Sequence, residues 1–336
     1  MDDRDQPTRR QFLATNAAVF AGVTCGLGKT IASPVRNEPD ISVEIPTGFA
    51  TLDRLTGGFH RGELVVLASP PGMGKTALAL NIADHVAVEP GLPTLYVTQQ
   101  ASQIDIAERL VCARGPIDHR AMKNRSLSTE DGQRLKRAAA QLCDSPFYVD
   151  DKHPRTIAEI RNLAVHLNRR LKPSAPLGLL VVDEAGLLAC SNRNRVGRGG
   201  LEEIIPDLKR IAEQLTVAVL CLCRIDPTPA STVNGCSPGV GRRTIENNAQ
   251  VVLSLHHETN PAGRQNGCQG AVNRTWLGVF RPDDVAPRNV NLAWMANFLR
   301  FDEIGEALTS GEPFVPVDSR IDSPPVPAVG RRGSPA

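Results

Sequence analysis

The chain has 336 residues, of which 41% are hydrophobic, and a formal net charge of +2. That apolar fraction suffices for one substantial core or at most two small ones. The near balance of charge excludes a global basic field for nucleic acid, so any such site must be a local cluster of arginines. The eight cysteines (Cys25, Cys112, Cys143, Cys190, Cys221, Cys223, Cys236 and Cys268) form no CxxC pair and no metal-ligand spacing with histidine. Reduced, buried thiols of a cytoplasmic protein are expected. No apolar run reaches membrane-spanning length.

Taken in chain order, Thr8–Leu13 (TRRQFL) resembles a twin-arginine export signal, followed by a small, mildly apolar segment to Gly28. No convincing A-x-A cleavage site follows, and a short amphipathic helix is the alternative. Ser33–Asp40 is polar, holds two prolines and reads as a linker, so residues 1–43 form an N-terminal extension. From 44 to 303, strand-like runs are expected at Glu63–Ala68, Pro93–Thr98, Leu177–Val182, Ala218–Cys223 and Ala249–Leu255. Helices fit at Lys75–Val88, Ser102–Ala113, Thr129–Leu142, Thr156–Leu171 and Gly200–Gln214. Strands alternating with helices, several of them continuously apolar, predict an α/β fold with a mostly parallel sheet covered on both faces. Weaker runs at Trp276–Phe280 and Val290–Trp294 would extend it as a C-terminal antiparallel hairpin. Beyond Glu303 a short helical stub and a Pro/Gly-rich end, SPPVPAVGRRGSPA, predict a disordered tail over 304–336.

One segment carries specific chemistry. Val65–Ala68 is a strand, Ser69-Pro70-Pro71-Gly72-Met73-Gly74 is a loop, and Lys75 opens a helix. This is the strand–loop–helix context of a P-loop. Gly72 and Gly74 let the backbone turn its N–H groups toward a phosphate; Lys75 would reach the β- and γ-phosphates of ATP, and Thr76 would hold Mg²⁺. Ser69 stands where the first Gly is usual. About a hundred residues on, Leu179-Leu180-Val181-Val182-Asp183 ends an apolar strand in a carboxylate that can bind Mg²⁺ through water.

The lead-in EIPTGFATLDRLTGGFHRGEL, from Glu44 to Leu64, resembles the entry to the RecA-like motor domain of DnaB-type replicative helicases, hexameric ATPases of superfamily 4. Asp150-Asp151 with TIAEIR (Thr156–Arg161), LKRIAEQLTVAVL (Leu208–Leu220) and IENNAQVVL (Ile245–Leu253) are similar to that family as well. The resemblance spans about 44 to 302. It implies ATP and Mg²⁺ as ligands, single-stranded DNA as a partner and a homo-hexameric ring. The family's N-terminal helical domain, which meets primase, has no counterpart here, so primase binding is not expected.

The departures from the family are specific. Its water-activating Glu is replaced by Gln100 in Thr98-Gln99-Gln100-Ala101-Ser102. An amide orients water but does not usefully accept its proton. The polar sensor segment reads Cys223-Arg224-Ile225-Asp226-Pro227, and the late cationic finger segment reads Arg281-Pro282-Asp283. The finger arginine position is thus Asp283, whereas Arg281 stands at the finger lysine. Glu184, directly after Asp183, is either a replacement base or a glutamate that faces solvent or pairs with a nearby arginine. Arg224 either reaches the γ-phosphate in cis or is an ordinary surface arginine, and Arg281 is likewise a finger or a surface group. The resemblance further implies that the loops SNRNRVGRGG (Ser191–Gly200) and PGVGRR (Pro238–Arg243) face a central channel. Arg193, Arg195, Arg198, Arg242 and Arg243 would then contact DNA phosphates, the alternative being solvated loops. Two functional readings remain: an ATP-driven helicase or translocase, or an ATP-binding paralogue that hydrolyses weakly and regulates assembly.

Overall fold

The structure is a computed structural model and describes residues 44–189, 200–224, 242–257, 273–281 and 288–304. The export-like signal, the loop arginines Arg193, Arg195 and Arg198, residues Ile225, Asp226 and Pro227 of the segment compared with the family's sensor, Asp283, and the stub and tail beyond Ile304 lie outside the described residues.

Among the described residues nine strands form one sheet: β1 (Leu64–Ser69), β2 (Thr94–Thr98), β3 (Phe147–Asp150), β4 (Leu179–Asp183), β5 (Ala218–Arg224), β6 (Val251–His257), β7 (Asn273–Phe280), β8 (Arg288–Met295) and β9 (Arg300–Glu303). Their spatial order is β3-β2-β4-β5-β1-β6-β7-β8-β9. The first six in that order pair in parallel and the rest antiparallel. The expected hairpin extension is therefore present and carries one more strand, β9. The edge strand β3 is a second addition to the expected set. Each is four residues long, too short to show a period.

The helices described are α1 (Ala50–Thr56), α2 (Lys75–Val88), α3 (Gln103–Arg114), α4 (His119–Lys123), α5 (Thr129–Asp144), α6 (Ile157–Arg170), α7 (Leu201–Leu215) and α8 (Arg242–Asn248). Three of them begin where short polar side chains dictate. Ser102 with Asp105, Ser128 with Asp131 and Thr156 with Glu159 form capping boxes at the starts of α3, α5 and α6. Each box satisfies N–H groups that a helix start leaves without partners.

Strand alternation feeds two cores. Val65 and Leu67 of β1 join a layer with α2, α3 and α5, while Leu64, Val66 and Ala68 join a layer with α6 and α7. α2 is buried on nearly every side, which accounts for its apolar run ALALNIA. The lead-in closes on the first of these layers. Ile45 and Phe59 exchange backbone hydrogen bonds of 2.8 and 2.9 Å, and Thr47 donates from both N and Oγ1 to Asp53. The IPTGFATLD pattern is thus a folded clasp. Cys221 and Cys223 lie on one face of β5, buried and free, with sulfurs 3.6 Å apart. Among the described residues no helix is long and apolar enough to cross a membrane.

Candidate nucleotide site

Parallel strands bring their C-terminal ends to one edge, and loops there carry chemistry in open α/β sheets. At this edge β1 delivers the loop from Ser69 to Gly74, β4 delivers Asp183 and Glu184, and β5, lying between them, delivers Arg224 opposite Ser69. β2 delivers Gln99 and Gln100 on the far side of β4.

Gly72 and Gly74 have φ of +82° and +88°, in the left-handed region that a side chain disfavours. A Cβ on Gly74 would also come within 2.9 Å of the Phe301 ring. Pro70, Pro71 and Met73 complete the loop, whose width Lys75 spans. Its Nζ donates to Ser69 O at 2.8 Å and Pro70 O at 3.2 Å. Burial lowers the Lys75 pKa, opposed by the nearby Glu184 and Asp183 charges. The His257 ring pairs with Thr275 Oγ1 through Nδ1 (2.8 Å) and also reaches the backbone of Met73.

Asp183 is 8% exposed, and its Oδ2 accepts from Thr76 Oγ1 and from Tyr96 Oη, each at 2.9 Å. Burial raises its pKa, opposed by those two hydroxyls and by Lys75. The fold therefore joins Thr76 and Asp183, which are 107 positions apart in sequence. Two adjacent hard oxygen donors fit Mg²⁺, which takes one or two protein groups and completes its shell with water and phosphate. Among the described residues no group of three or more His, Cys, Asp or Glu could hold a metal ion.

Glu184 is 5% exposed. Its Oε2 accepts from Arg224 Nε at 3.0 Å, and its Oε1 is buried with no hydrogen-bond partner among the described residues. Burial raises its pKa, opposed by the charges of Lys75 and Arg224. Of the expected alternatives the pair with an arginine is present, and the Lys75 charge also acts on this carboxylate. Arg224 joins the site through that pair while about half of its side chain stays exposed.

Gln100 is exposed. Thr98 Oγ1 accepts from the backbone N–H groups of Gln100 and Ala101 and turns the chain outward there. Gln99, its neighbour, is the buried one. Arg281 follows β7, whose last residue, Phe280, pairs with Val252 near the start of β6. It therefore lies at the sheet edge opposite the P-loop, where its Nη1 donates to Thr56 O at 3.1 Å. Arg243 is exposed on α8, and Arg242 begins that helix.

Sequence reasoning missed Tyr96, Gln99, Arg155 and His257. Tyr96 was hidden as one of three apolar residues in the five-residue strand β2. An amide beside the expected catalytic position was the only trace of Gln99.

A family model described as "DnaB-like helicase C terminal domain" matches residues 44–303. The replicative DNA helicase DnaB of Treponema pallidum (strain Nichols) is 30% identical over 261 residues, covering 76% of this chain and 58% of that protein. The replicative DNA helicase DnaC of Bacillus subtilis (strain 168) is 36% identical over 182 residues, covering 54% of this chain and 39% of that one. The chain thus spans only part of the length of these relatives. Among solved structures, a DnaB-like replicative helicase described with its interactions with primase superposes with a TM-score of 0.68 at 19% identity. That superposition covers 91% of this chain and 68% of the other, and it is a likeness of fold. With the family match covering most of its length, the chain belongs to the DnaB-like helicase C-terminal domain family.

Proposed function

We propose that residues 44–303 form an ATPase of the DnaB type that binds Mg-ATP at the P-loop and uses its hydrolysis to move along single-stranded DNA. The observation that carries this reading is the 2.9 Å bond between Thr76 Oγ1 and Asp183 Oδ2, which joins the two metal donors beside the P-loop lysine. In this reading Lys75 exchanges the Ser69 and Pro70 carbonyls for the β- and γ-phosphates. Thr76 and Asp183 hold Mg²⁺, which supplies positive charge to the phosphate oxygens. Glu184 takes the proton of the attacking water, and Arg224 holds its carboxylate toward the site. Gln100, exposed at the family's Glu position, contributes no base.

The family resemblance extends the proposal to a homo-oligomeric ring, hexameric in the family. Arg193, Arg195, Arg198, Arg242 and Arg243 would grip DNA phosphates, and Arg281 would serve a neighbouring subunit. The protein would work in the cytoplasm, where ATP is abundant. Residues 1–43 and 304–336 are appendages to this unit.

One observation favours the second reading, a nucleotide-binding subunit of low turnover. The Arg224 ion pair opposes the burial that raises the Glu184 pKa and so limits its strength as a base. ATPase rates with and without single-stranded DNA separate the two. DNA-stimulated turnover that Glu184→Gln reduces by roughly 10²–10⁴-fold supports the motor. Tight ATP binding with no turnover supports the subunit.

A further inference from the structure

Among the described residues, two buried polar atoms at the catalytic edge have no hydrogen-bond partner: Gln99 Nε2, a donor, and Glu184 Oε1, an acceptor. Gln99 is 6% exposed and Glu184 5%. Buried polar groups in native proteins nearly always have a partner in the protein or in bound water, so each such exception calls for an explanation. The two residues follow directly on adjacent strands. β2 and β4 pair through Thr98 and Asp183, and Gln99 N donates to Asp183 O at 2.6 Å.

The opposite half of each side chain is fixed. Gln99 Oε1 accepts from Arg155 N at 3.0 Å, and Arg155 is itself held by a bidentate pair to Asp150. Because Arg155 N is a donor, it faces the amide oxygen, which assigns the nitrogen to the open position. Glu184 Oε2 is fixed by Arg224. Arg155 follows β3, outside β2, and Arg224 ends β5, outside β4. The anchors therefore lie on the outer sides of the pair, and each side chain keeps one end, a donor on Gln99 and an acceptor on Glu184, without a hydrogen-bond partner among the described residues.

We propose that Gln99 and Glu184 together position the water that attacks the γ-phosphate, Gln99 being an orienting group at a position where the neighbouring Gln100 turns away. The proposal rests on Glu184 being the base. A water molecule offers two protons and two lone pairs. One proton points to Glu184 Oε1, and one lone pair accepts from Gln99 Nε2. That fixes the remaining lone pair for phosphorus. In the reaction the water oxygen forms a bond to the γ-phosphorus, and the bond from phosphorus to the β–γ bridging oxygen breaks with its electron pair leaving on ADP. The water proton passes to Glu184, and Gln99 neither gains nor loses one.

The test uses the full chain with Gln99→Met, Glu184→Gln and the double variant. It compares single-turnover ATP hydrolysis with equilibrium binding of a non-hydrolysable ATP analogue. Gln99→Met is expected to slow hydrolysis on the order of 10²-fold, the usual loss for one transition-state donor. Affinity for the analogue should change less than about threefold, as for a group that acts only when water attacks. Losses from the two single variants should not multiply in the double, because both act on one water. Wild-type hydrolysis in Gln99→Met, with Glu184→Gln inactive, overturns the role of Gln99 and leaves the base in place. Multiplying losses in the double variant overturn it too. Wild-type hydrolysis in Glu184→Gln, or no turnover in the unmodified chain, removes the base and this proposal with it.

Discussion

Asp183 shows how a buried carboxylate lowers the stability of the fold that holds it. Burial raises its carboxyl pKa above the ordinary value of 3.8. The folded state then binds a proton more tightly than the unfolded chain. The stabilising contribution is fully present below the ordinary carboxylate pKa and is lost as pH rises through the raised one. Asp183→Asn removes that charge and keeps an oxygen for Thr76 and Tyr96. The variant should melt above wild type at neutral pH, by about 2–4 °C for each 1 kcal/mol gained. The gap should close as pH falls below about 4, followed by calorimetry across that range, while Mg²⁺-dependent hydrolysis is lost. Tyr96→Phe tests the opposite sign. The fully buried ring is retained but the Asp183 carboxylate loses a donor. Urea unfolding should show a loss of about 1.5–3 kcal/mol, typical of a hydrogen bond to a charged group.

Elements decide where these residues stand, and here the sequence was legible in proportion to element length. α2 begins and ends where its apolar run predicts, at Lys75 and Val88, and the long parallel strands fall within about two residues of their expected bounds. β3 and β9 escaped because four residues carry no period. Motif chemistry named Thr76 and Asp183 separately as metal ligands, and the direct bond between them is supplied by the fold. Tyr96 was not legible, because its carboxylate partner lies 87 positions away and only the register of β2 with β4 brings them together. Gln99 was missed for a local reason: a single threonine hydroxyl at the end of β2 decides which of two consecutive amides faces inward. β9 adds a brace that no motif announced. Asn81 of α2 accepts from Phe301 N at 2.8 Å, and the Phe301 ring lies against Gly74. Gly74→Ala forces a left-handed residue with a side chain into that ring. The conformation alone costs about 1–2 kcal/mol. Chemical denaturation should show at least that loss, together with weakened nucleotide affinity. Adding Phe301→Leu should return part of the affinity by opening space.

At the scale of the whole molecule, one sheet separates two edges with different tasks. The edge at the C-terminal ends of the parallel strands gathers the P-loop, Asp183, Glu184 and Arg224. The other edge holds Arg281, about one strand length away, roughly 17–20 Å. A guanidinium so placed is out of reach of the phosphates bound by its own chain, so any help it gives a triphosphate is given to another copy. Solitary chains would be poor catalysts, and specific activity would climb with protein concentration. Lys75→Ala and Arg281→Ala should each be silent alone. Blended in one tube they should regain a share of turnover, the first variant lending its arginine to the intact cradle of the second.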